Sequence, residues 1–276
     1  MSDLRASIVV IGDEILGGFV HDTNSHWLAG QLQTHGIPLD RVQTVPDTMA
    51  AIDEGLRMEL GRSRPRLIMT SGGIGSTPDD LTMEAVAATL GRGLVVNEDI
   101  DHRITLALEW TAGTGATVTA DHERAMRRMA RVPEGTYLLQ GARGVAPGVA
   151  LDVDGGLADG GVTIVILPGI PGELKRIYTD GIVPELLAGI GTPQHVVEMT
   201  HGYPESSLNP VFDRLVAEFP DVHLGSYPGK QCTIRLKGER GKVEAAGAVV
   251  RAYLDELDDD PGANKLKTAW AARWTD

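Results

Sequence analysis

Apolar runs and helix-forming segments alternate along roughly the first ninety residues of the chain. Residues 7–12, Leu39–Val45 and 67–69 have the apolar or alternating pattern of buried and half-buried strands. Each run is followed by a polar turn and then by a helical segment that ends at or beside a glycine. Repeated strand–helix units of this kind predict a parallel sheet with helices on both faces and right-handed crossovers.

The pattern of the next hundred or so residues extends the same domain. Residues 97–131 are helical in pattern, and residues 149–153 and 162–167 flank an Asp- and Gly-rich turn that predicts a hairpin. We therefore expect residues 5–190 to form a three-layer α/β domain with a mostly parallel, Rossmann-like sheet.

The pattern changes after a linker at residues 189–194. Strands are predicted at residues 195–200, 222–226 and 231–237, and helices at residues 204–219 and 241–257. This βαββα order predicts a second, smaller α+β module over residues 195–258. Residues 259–276 form a charged tail in which Trp270 and Trp274 would share one helix face.

A glycine-rich loop follows the predicted strand at residues 67–69. Thr77 is expected as the N-cap of the next helix, with Pro78 at its first position and Asp80 completing a capping box. A strand, a glycine-rich loop and a helix start together favour an anion cradle, because backbone N–H groups can approach a phosphate there. The expected phosphate-binding residues are Ser71, Gly72, Gly73, Ile74, Gly75, Ser76 and Thr77.

Acidic residues follow each of the first three predicted strands: Asp13 and Glu14, then Asp47, then Asp79 and Asp80. Ligands of parallel sheets bind beyond the carboxyl ends of the strands, so these residues should converge. Carboxylates repel a phosphate unless a cation stands between them, which indicates a hard divalent metal such as Mg²⁺, Mn²⁺ or Co²⁺. Glu14, Asp47, Asp79 and Asp80 are the expected metal ligands, and Glu14, Asp47 and Asp80 the expected catalytic residues.

Simpler roles remain open for the same residues. Each aspartate could serve only as a helix cap, and the glycines could form only a turn. Glu14 fits the capping role least well, because it is expected to lie several residues before its helix.

Composition and charge narrow the function classes. A net charge of −13 argues against general binding to nucleic acid or to membrane surfaces. Cys232 is the one cysteine, which excludes an internal disulfide and is typical of a reducing cytoplasm. No apolar stretch reaches the length of a membrane span, so a cytoplasmic protein is expected.

Several motifs occur in a specific order: GDEILGG with DTN, VPDTMAAI, TSGGIGSTPDDLTMEAV, RGVAPG and LPGIPGEL. Through them, residues 5–190 resemble the amino-terminal part of the competence/damage-inducible protein A (CinA) family, which has a molybdopterin-binding-like fold. GYPES at residues 202–206 extends the resemblance into the second module, which looks like a KH-type domain in that family. Larger members continue into a nicotinamide mononucleotide deamidase domain, and that activity is not expected of this sequence.

The resemblance implies a metal-dependent, potassium-stimulated pyrophosphatase that acts on ADP-ribose-like dinucleotides. A related group adenylylates molybdopterin, and the aspartates that match Asp47 and Asp80 act there at the pterin and nucleotide phosphates. A third possibility is a module that binds a nucleotide without turnover. Asp13, Asn24, Arg143 and Gly169 complete the expected nucleotide-binding set. A homo-oligomer is expected, and RNA binding is not, because the second module lacks a basic GxxG loop.

Overall fold

The computed structural model describes residues 4–140, 144–145, 148–191 and 194–274. The chain divides into two compact units, residues 1–192 and residues 193–276. Within the described part of the chain, no helix has the length and apolar content that crossing a membrane requires.

The first unit alternates strands and helices along most of its length. Its strands are β1 (Arg5–Ile11), β2 (Leu39–Val45), β3 (Arg66–Ser71), β4 (Leu94–Val96), β5 (Arg131–Pro133), β6 (Thr136–Leu138), β7 (Val149–Val153) and β8 (Val162–Leu167). Its helices are α1 (Asp13–Leu16), α2 (Asn24–Thr34), α3 (Met49–Leu60), α4 (Thr82–Thr89), α5 (Glu98–Gly113), α6 (Ala120–Arg128), α7 (Pro171–Ile177) and α8 (Val183–Leu186), with a π-helical turn at Tyr178–Ile182.

Six of these strands form one sheet in the order β2-β1-β3-β8-β7-β6. The first four are parallel, and β7 and β6 join antiparallel at one edge. The mostly parallel α/β fold and the hairpin of β7 and β8 are therefore confirmed. Because β2, β1, β3 and β8 run in the same direction, the loops that follow them leave from the same edge of the sheet.

Different helices cover the two faces of this sheet, since successive residues of a strand point to opposite faces. Ile8 and Val10 of β1 pack in a cluster with side chains of α2 and α7. Val9 and Ile11 pack in a second cluster with side chains of α3, α4 and α5. All four residues are buried, which accounts for the nearly continuous apolar run of β1 and gives the three predicted layers.

A short sheet and an early helix of the first unit differ from the sequence-based expectations. Strands β4 and β5 form a separate two-stranded antiparallel sheet that was not predicted, because runs of three residues are too short to show a period. Glu14 lies inside the single-turn helix α1 instead of in an extended loop before a helix.

The second unit has the predicted βαββα order and one more helix. Its elements are β9 (His195–His201), a 3₁₀ turn (Glu205–Leu208), α9 (Asn209–Glu218), β10 (His223–Tyr227), β11 (Cys232–Gly238), α10 (Arg240–Asp259) and α11 (Pro261–Ala272). The antiparallel sheet has the order β10-β11-β9.

Helix α11 lies in the segment expected to be a charged tail, and it packs on the second unit. The indole Nε1 of Trp270 donates to the carbonyl of Gly229 at 3.1 Å, and Ala263 is buried in the unit's core. Trp270 and Trp274 form an edge-to-face pair with ring centroids 5.9 Å apart, as their spacing predicts.

Candidate functional site

A cavity of about 380 Å³ opens at the carboxyl ends of the parallel strands of the first unit. Its wall consists of the end of β1 and residues from the segments that follow β1, β2, β3 and β8, together with Met129 after α6 and Val145 between β6 and β7. The lining residues are Ile11, Glu14, Asp47, Gly72, Gly73, Ile74, Gly75, Asp79, Asp80, Met129, Val145, Pro168, Gly169, Ile170 and Glu173. The predicted convergence of the three acidic segments therefore occurs in the fold.

The glycine loop after β3 forms one wall of this cavity, and two of its positions require glycine. Gly72 has φ +105°, and a Cβ there would lie 2.2 Å from the carbonyl oxygen of Ile11. Gly73 has φ +64°, and a Cβ there would lie 2.4 Å from Oγ1 of Thr82. Side chains are therefore excluded by both backbone conformation and space, so the backbone itself faces the cavity.

The backbone amides of this loop divide into two groups. The amide of Gly72 donates to the carbonyl of Leu167 at 3.1 Å and serves the fold. The amides of Gly73, Ile74 and Gly75 have no acceptor among the residues that the structure describes, and all three residues line the cavity. Successive unpaired amides of this kind make an anion-binding concavity.

Helix α4 begins at Thr82, not at Pro78 as the capping box predicted. Oδ2 of Asp80 instead accepts hydrogen bonds from the amide and the hydroxyl of Thr77, at 2.8 and 2.6 Å, which closes a local turn. The helix start is anchored on the glycine loop, because Oγ1 and the amide of Thr82 donate to the carbonyls of Gly72 and Gly73, at 2.8 and 2.9 Å.

Asp47 lies between the acidic segments, and it does not cap α3. The cap is Thr48, whose hydroxyl accepts from the amide of Ala51 at 3.3 Å. Oδ2 of Asp47 accepts from the amide of Asp13 at 2.7 Å. Burial raises the pKa of Asp47, and the nearby charges of Asp13, Glu14 and Asp79 raise it further, against the lowering effect of that hydrogen bond.

Asp79 is more easily ionised than Asp47. The nearby side chain of Thr77 lowers the pKa of Asp79, assisted by its own backbone amide and by the charge of Arg128. Two neighbouring carboxylates of one cavity are thus shifted in opposite directions, which is common where acid–base or ion-binding chemistry takes place.

Glu173 is a cavity residue that the sequence analysis did not select. It lies in the first turn of α7 and is partly exposed on the cavity wall. The available signal was the LPGIPGEL motif, in which a strand end, two prolines and a helix start place a carboxylate beside the other acidic segments.

The predicted metal ligands do not form a compact cluster. Among residues 4–140, 144–145, 148–191 and 194–274, no three His, Cys, Asp or Glu side chains converge closely enough to hold a metal ion. Glu14, Asp47, Asp79 and Asp80 share the cavity wall without forming a closed ligand cage. A divalent cation held here would keep several waters and bind through only one or two of these carboxylates.

Several predicted binding residues lie away from the main cavity. Asp13, Ser76 and Thr77 are not part of its wall, and Arg143 lies outside the described residues. Ser71 and Asn24 line a side cavity of about 110 Å³. The two cavities share the wall residues Ile11, Glu14, Gly72 and Gly169.

Asn24 is oriented by its contacts in this side cavity. Its Nδ2 donates to Oγ of Ser71 at 3.0 Å and to the carbonyl of Gly169 at 2.8 Å. Because a carbonyl can only accept, the amide orientation is determined. Its Oδ1 is buried without a hydrogen-bond partner among the described residues, and its Nδ2 is used within the protein instead of being free to contact a phosphate.

Comparison with known proteins agrees with this architecture. The model of the family described as "Probable molybdopterin binding domain" matches residues 7–188. A protein of Aeropyrum pernix is 34% identical over 262 residues, which cover 92% of each chain.

Two CinA proteins match over part of the chain. A CinA-like protein of Mycobacterium sp. (strain MCS) is 37% identical over 209 residues, which cover 74% of this chain and 48% of that protein. The crystal structure of the protein CinA, of unknown function, from Thermoplasma acidophilum matches with a TM-score of 0.54 and 27% identity, covering 67% of this chain and 98% of that chain. The chain therefore belongs to the probable molybdopterin-binding domain family and is a CinA-type protein within it.

Proposed function

We propose that the main cavity binds a molybdopterin-type ligand, with its phosphate against the amides of Gly73, Ile74 and Gly75. The observation that carries this proposal is the run of three unpaired amides on the cavity wall. Family membership supports a pterin as the organic part of the ligand. The apolar side chains of Met129, Val145 and Ile170 on the same wall offer contacts to such a ring.

The chemistry we propose is adenylyl transfer at that phosphate. A phosphate oxygen of the pterin would attack the α-phosphorus of a nucleoside triphosphate, forming a phosphoanhydride bond while pyrophosphate departs. The amides of Gly73 and Gly75 would hold the pterin phosphate in line for the attack.

The acidic wall of the cavity supports a divalent cation in this chemistry. Burial is the main reason that the pKa of Asp47 is raised, and the charges of Asp13, Glu14 and Asp79 on the same side of the sheet raise it further. Mg²⁺, Mn²⁺ or Co²⁺ would polarise a phosphate oxygen there, and Asp47 with Glu14, Asp79 or Asp80 would hold it. Asp80 is pre-oriented for this by its two hydrogen bonds from Thr77.

A second candidate is hydrolysis of an ADP-ribose-like dinucleotide. The raised pKa of Asp47 favours it, because a carboxylate with an elevated pKa is a better general base for an attacking water. Water would attack one phosphorus of the diphosphate, the bridging P–O bond would break, and ADP-ribose would yield AMP and ribose 5-phosphate.

Product analysis separates these functions. The protein is incubated with Mg²⁺ or Co²⁺ and either molybdopterin plus ATP or ADP-ribose, with and without K⁺. Adenylylated pterin supports the transferase, and AMP with ribose 5-phosphate supports the hydrolase. Thermal stabilisation by molybdopterin without a product supports a binding module. If neither a product nor thermal stabilisation is observed, the proposed ligand class is refuted.

A further inference from the structure

Arg128, at the end of α6, reaches the turn that carries two cavity carboxylates. Its Nη1 donates to the carbonyl of Thr77 at 2.7 Å, and its Nη2 donates to the carbonyl of Asp80 at 2.6 Å. These carbonyls lie on either side of Asp79 in the chain. The Arg128 side chain itself is not part of the main cavity wall.

A third contact orients the guanidinium group. Its Nη2 lies 3.2 Å from Oε1 of Glu84, in the first turn of α4. Glu84 and Arg128 are each about a quarter exposed, so this pair is better shielded from water than an ordinary surface pair. The planar fork of arginine thus joins α6, the acidic turn and α4, which a single ammonium group could not do with the same geometry.

The turn needs such support because its own backbone provides little. Residues 75–81 contain no helix or strand. Their internal contacts include the amide of Asp80 donating to the carbonyl of Thr77 at 3.1 Å and the Thr77–Asp80 side-chain bonds. Loops with few backbone bonds open at low free energy, and charge-assisted bonds to their carbonyls restrict that opening.

The other arginines of α6 do not have this role. Arg127 pairs with Asp101 at 2.8 Å and with Glu123 at 2.9 Å. Arg124 pairs with Asp121 of the same helix at 3.0 Å, and its side chain is 76% exposed. Arg124 is therefore a matched control: it has the same charge on the same helix, without contact to the turn.

We propose that Arg128 is a positioning residue that fixes the backbone of the acidic turn and so places Asp79 and Asp80 for metal and phosphate chemistry. This inference rests on the function proposed above. It assigns Arg128 no contact with the substrate. The expected consequence of its loss is misplaced carboxylates, which affects kcat and metal dependence more than substrate KM.

The kinetic test compares Arg128→Ala, Arg128→Lys and Arg124→Ala in the full-length protein. The assay is whichever turnover the wild type shows with molybdopterin plus ATP or with ADP-ribose. We expect Arg128→Ala to lower kcat by about 10- to 100-fold. The variant should also need more Mg²⁺ for half-maximal activity, while its KM for the substrate stays within about threefold of the wild-type value. Guanidinium at a non-denaturing concentration should restore part of kcat in Arg128→Ala. Arg128→Lys should stay impaired, and Arg124→Ala should behave as wild type. Unchanged kcat and Mg²⁺ dependence in Arg128→Ala would overturn the proposal.

A second measurement does not depend on turnover. Hydrogen exchange of the amides in residues 77–82 should be at least tenfold faster in Arg128→Ala than in the wild type and in Arg124→Ala, with the remainder of the first unit unchanged. Unchanged exchange in this segment would refute the positioning role. If the wild type proves inactive on every substrate, the proposed function fails, and the exchange result still decides the role of Arg128.

Discussion

The carboxylate of Asp47 accepts a hydrogen bond from the backbone amide of Asp13 at 2.7 Å. This contact joins the turn after β2 to the turn after β1, two segments separated by 34 positions. Oδ2 of Asp47 is therefore held by the protein, while its Oδ1 accepts no hydrogen bond from the residues that the structure describes. Asp47 itself lies on the cavity wall. In the proposed cation site, Asp47 would therefore bind as a monodentate carboxylate through its other oxygen.

Replacing Asp47 with Asn should separate function from stability. The amide oxygen of Asn can still accept from Asp13, but an anionic metal ligand is lost. We expect metal-dependent turnover to fall at least about 100-fold, the order seen when a key electrostatic contact is removed. Glu109→Gln, on the exposed side of α5, is the control for charge alone.

We expect Asp47→Asn to increase the stability of the protein in a pH-dependent way. The folded-state pKa of Asp47 is raised, so the ionised form is disfavoured in the folded protein. Protonated Asp47 therefore contributes to the stability of the folded protein below its unfolded-state pKa. This contribution is lost as pH rises through its folded-state pKa. Without metal, Asp47→Asn should therefore have a higher Tm than wild type near pH 7, and the difference should shrink toward pH 3.5. An equal or lower Tm at pH 7 would contradict this.

Asp80→Asn is expected to remove metal-dependent turnover while the fold stays intact. Asn keeps an oxygen that can accept from the amide and hydroxyl of Thr77, so the turn can persist. The change removes the negative charge that a divalent cation needs. Activity is measured in excess Mg²⁺ or Co²⁺ together with Tm, and turnover within a few-fold of wild type would exclude Asp80 from the metal site.

The sequence was sufficient to predict that the acidic segments converge at one edge of the sheet. Four parallel strands end at one edge, so acidic residues after β1, β2 and β3 had to meet there whatever the loop details. Loop geometry was not predictable in the same way, because it depends on contacts between distant residues. Asn24 and Gly169, which form a hydrogen bond, are 145 positions apart.

The capping prediction shows how a local motif can give the wrong helix start. Thr77, Pro78 and Asp80 have suitable spacing for a cap, and Asp80 does bond to Thr77. The helix nevertheless begins at Thr82, because that residue bonds to the carbonyls of Gly72 and Gly73. Packing on the glycine loop outweighed a capping preference of about 1 kcal/mol.

A buried ionic network at the amino end of β3 should control acid stability without affecting the site. Arg66 is 1% exposed, and its Nη2 contacts Asp40 at 2.7 Å. Hydrogen bonds from Arg5 and Arg66 lower the pKa of Asp40 to about 2, against an opposing effect of burial. The stabilisation is thus complete above the unfolded pKa of 3.8 and is lost as pH falls toward about 2.

Asp40→Asn should accordingly lower stability near pH 7 by about 1–2 kcal/mol, allowing for screening of the partly exposed Arg5. Chemical denaturation at several pH values measures this difference, which should vanish near pH 2. Ligand affinity at pH 7 should be unchanged, because the network is at the opposite end of β3 from the glycine loop. A stability loss that persists at pH 2 would mean that the pKa shift is not its cause.

Two glycines with the same φ angle allow the anion cradle to be tested directly. Gly73 and Gly91 both have φ +64°. A Cβ at Gly91 would meet nothing within 4 Å, whereas a Cβ at Gly73 would lie 2.4 Å from Oγ1 of Thr82, beside the unpaired amides. Replacement by Ala should impose a similar conformational strain of about 1–2 kcal/mol at each position, with an added steric cost at Gly73.

Binding of inorganic pyrophosphate in the presence of Mg²⁺, measured by calorimetry beside thermal unfolding, distinguishes strain from site loss. Gly91→Ala should lower Tm and keep pyrophosphate affinity, since Gly91 follows α4 and is not part of the cavity wall. Gly73→Ala should lower affinity at least about tenfold, because charge-assisted bonds to a phosphate are each worth more than 1 kcal/mol and the methyl group displaces the loop that presents them. A folded Gly73→Ala protein with wild-type affinity would show that the phosphate binds elsewhere, and the amides of the loop would then have only a structural role.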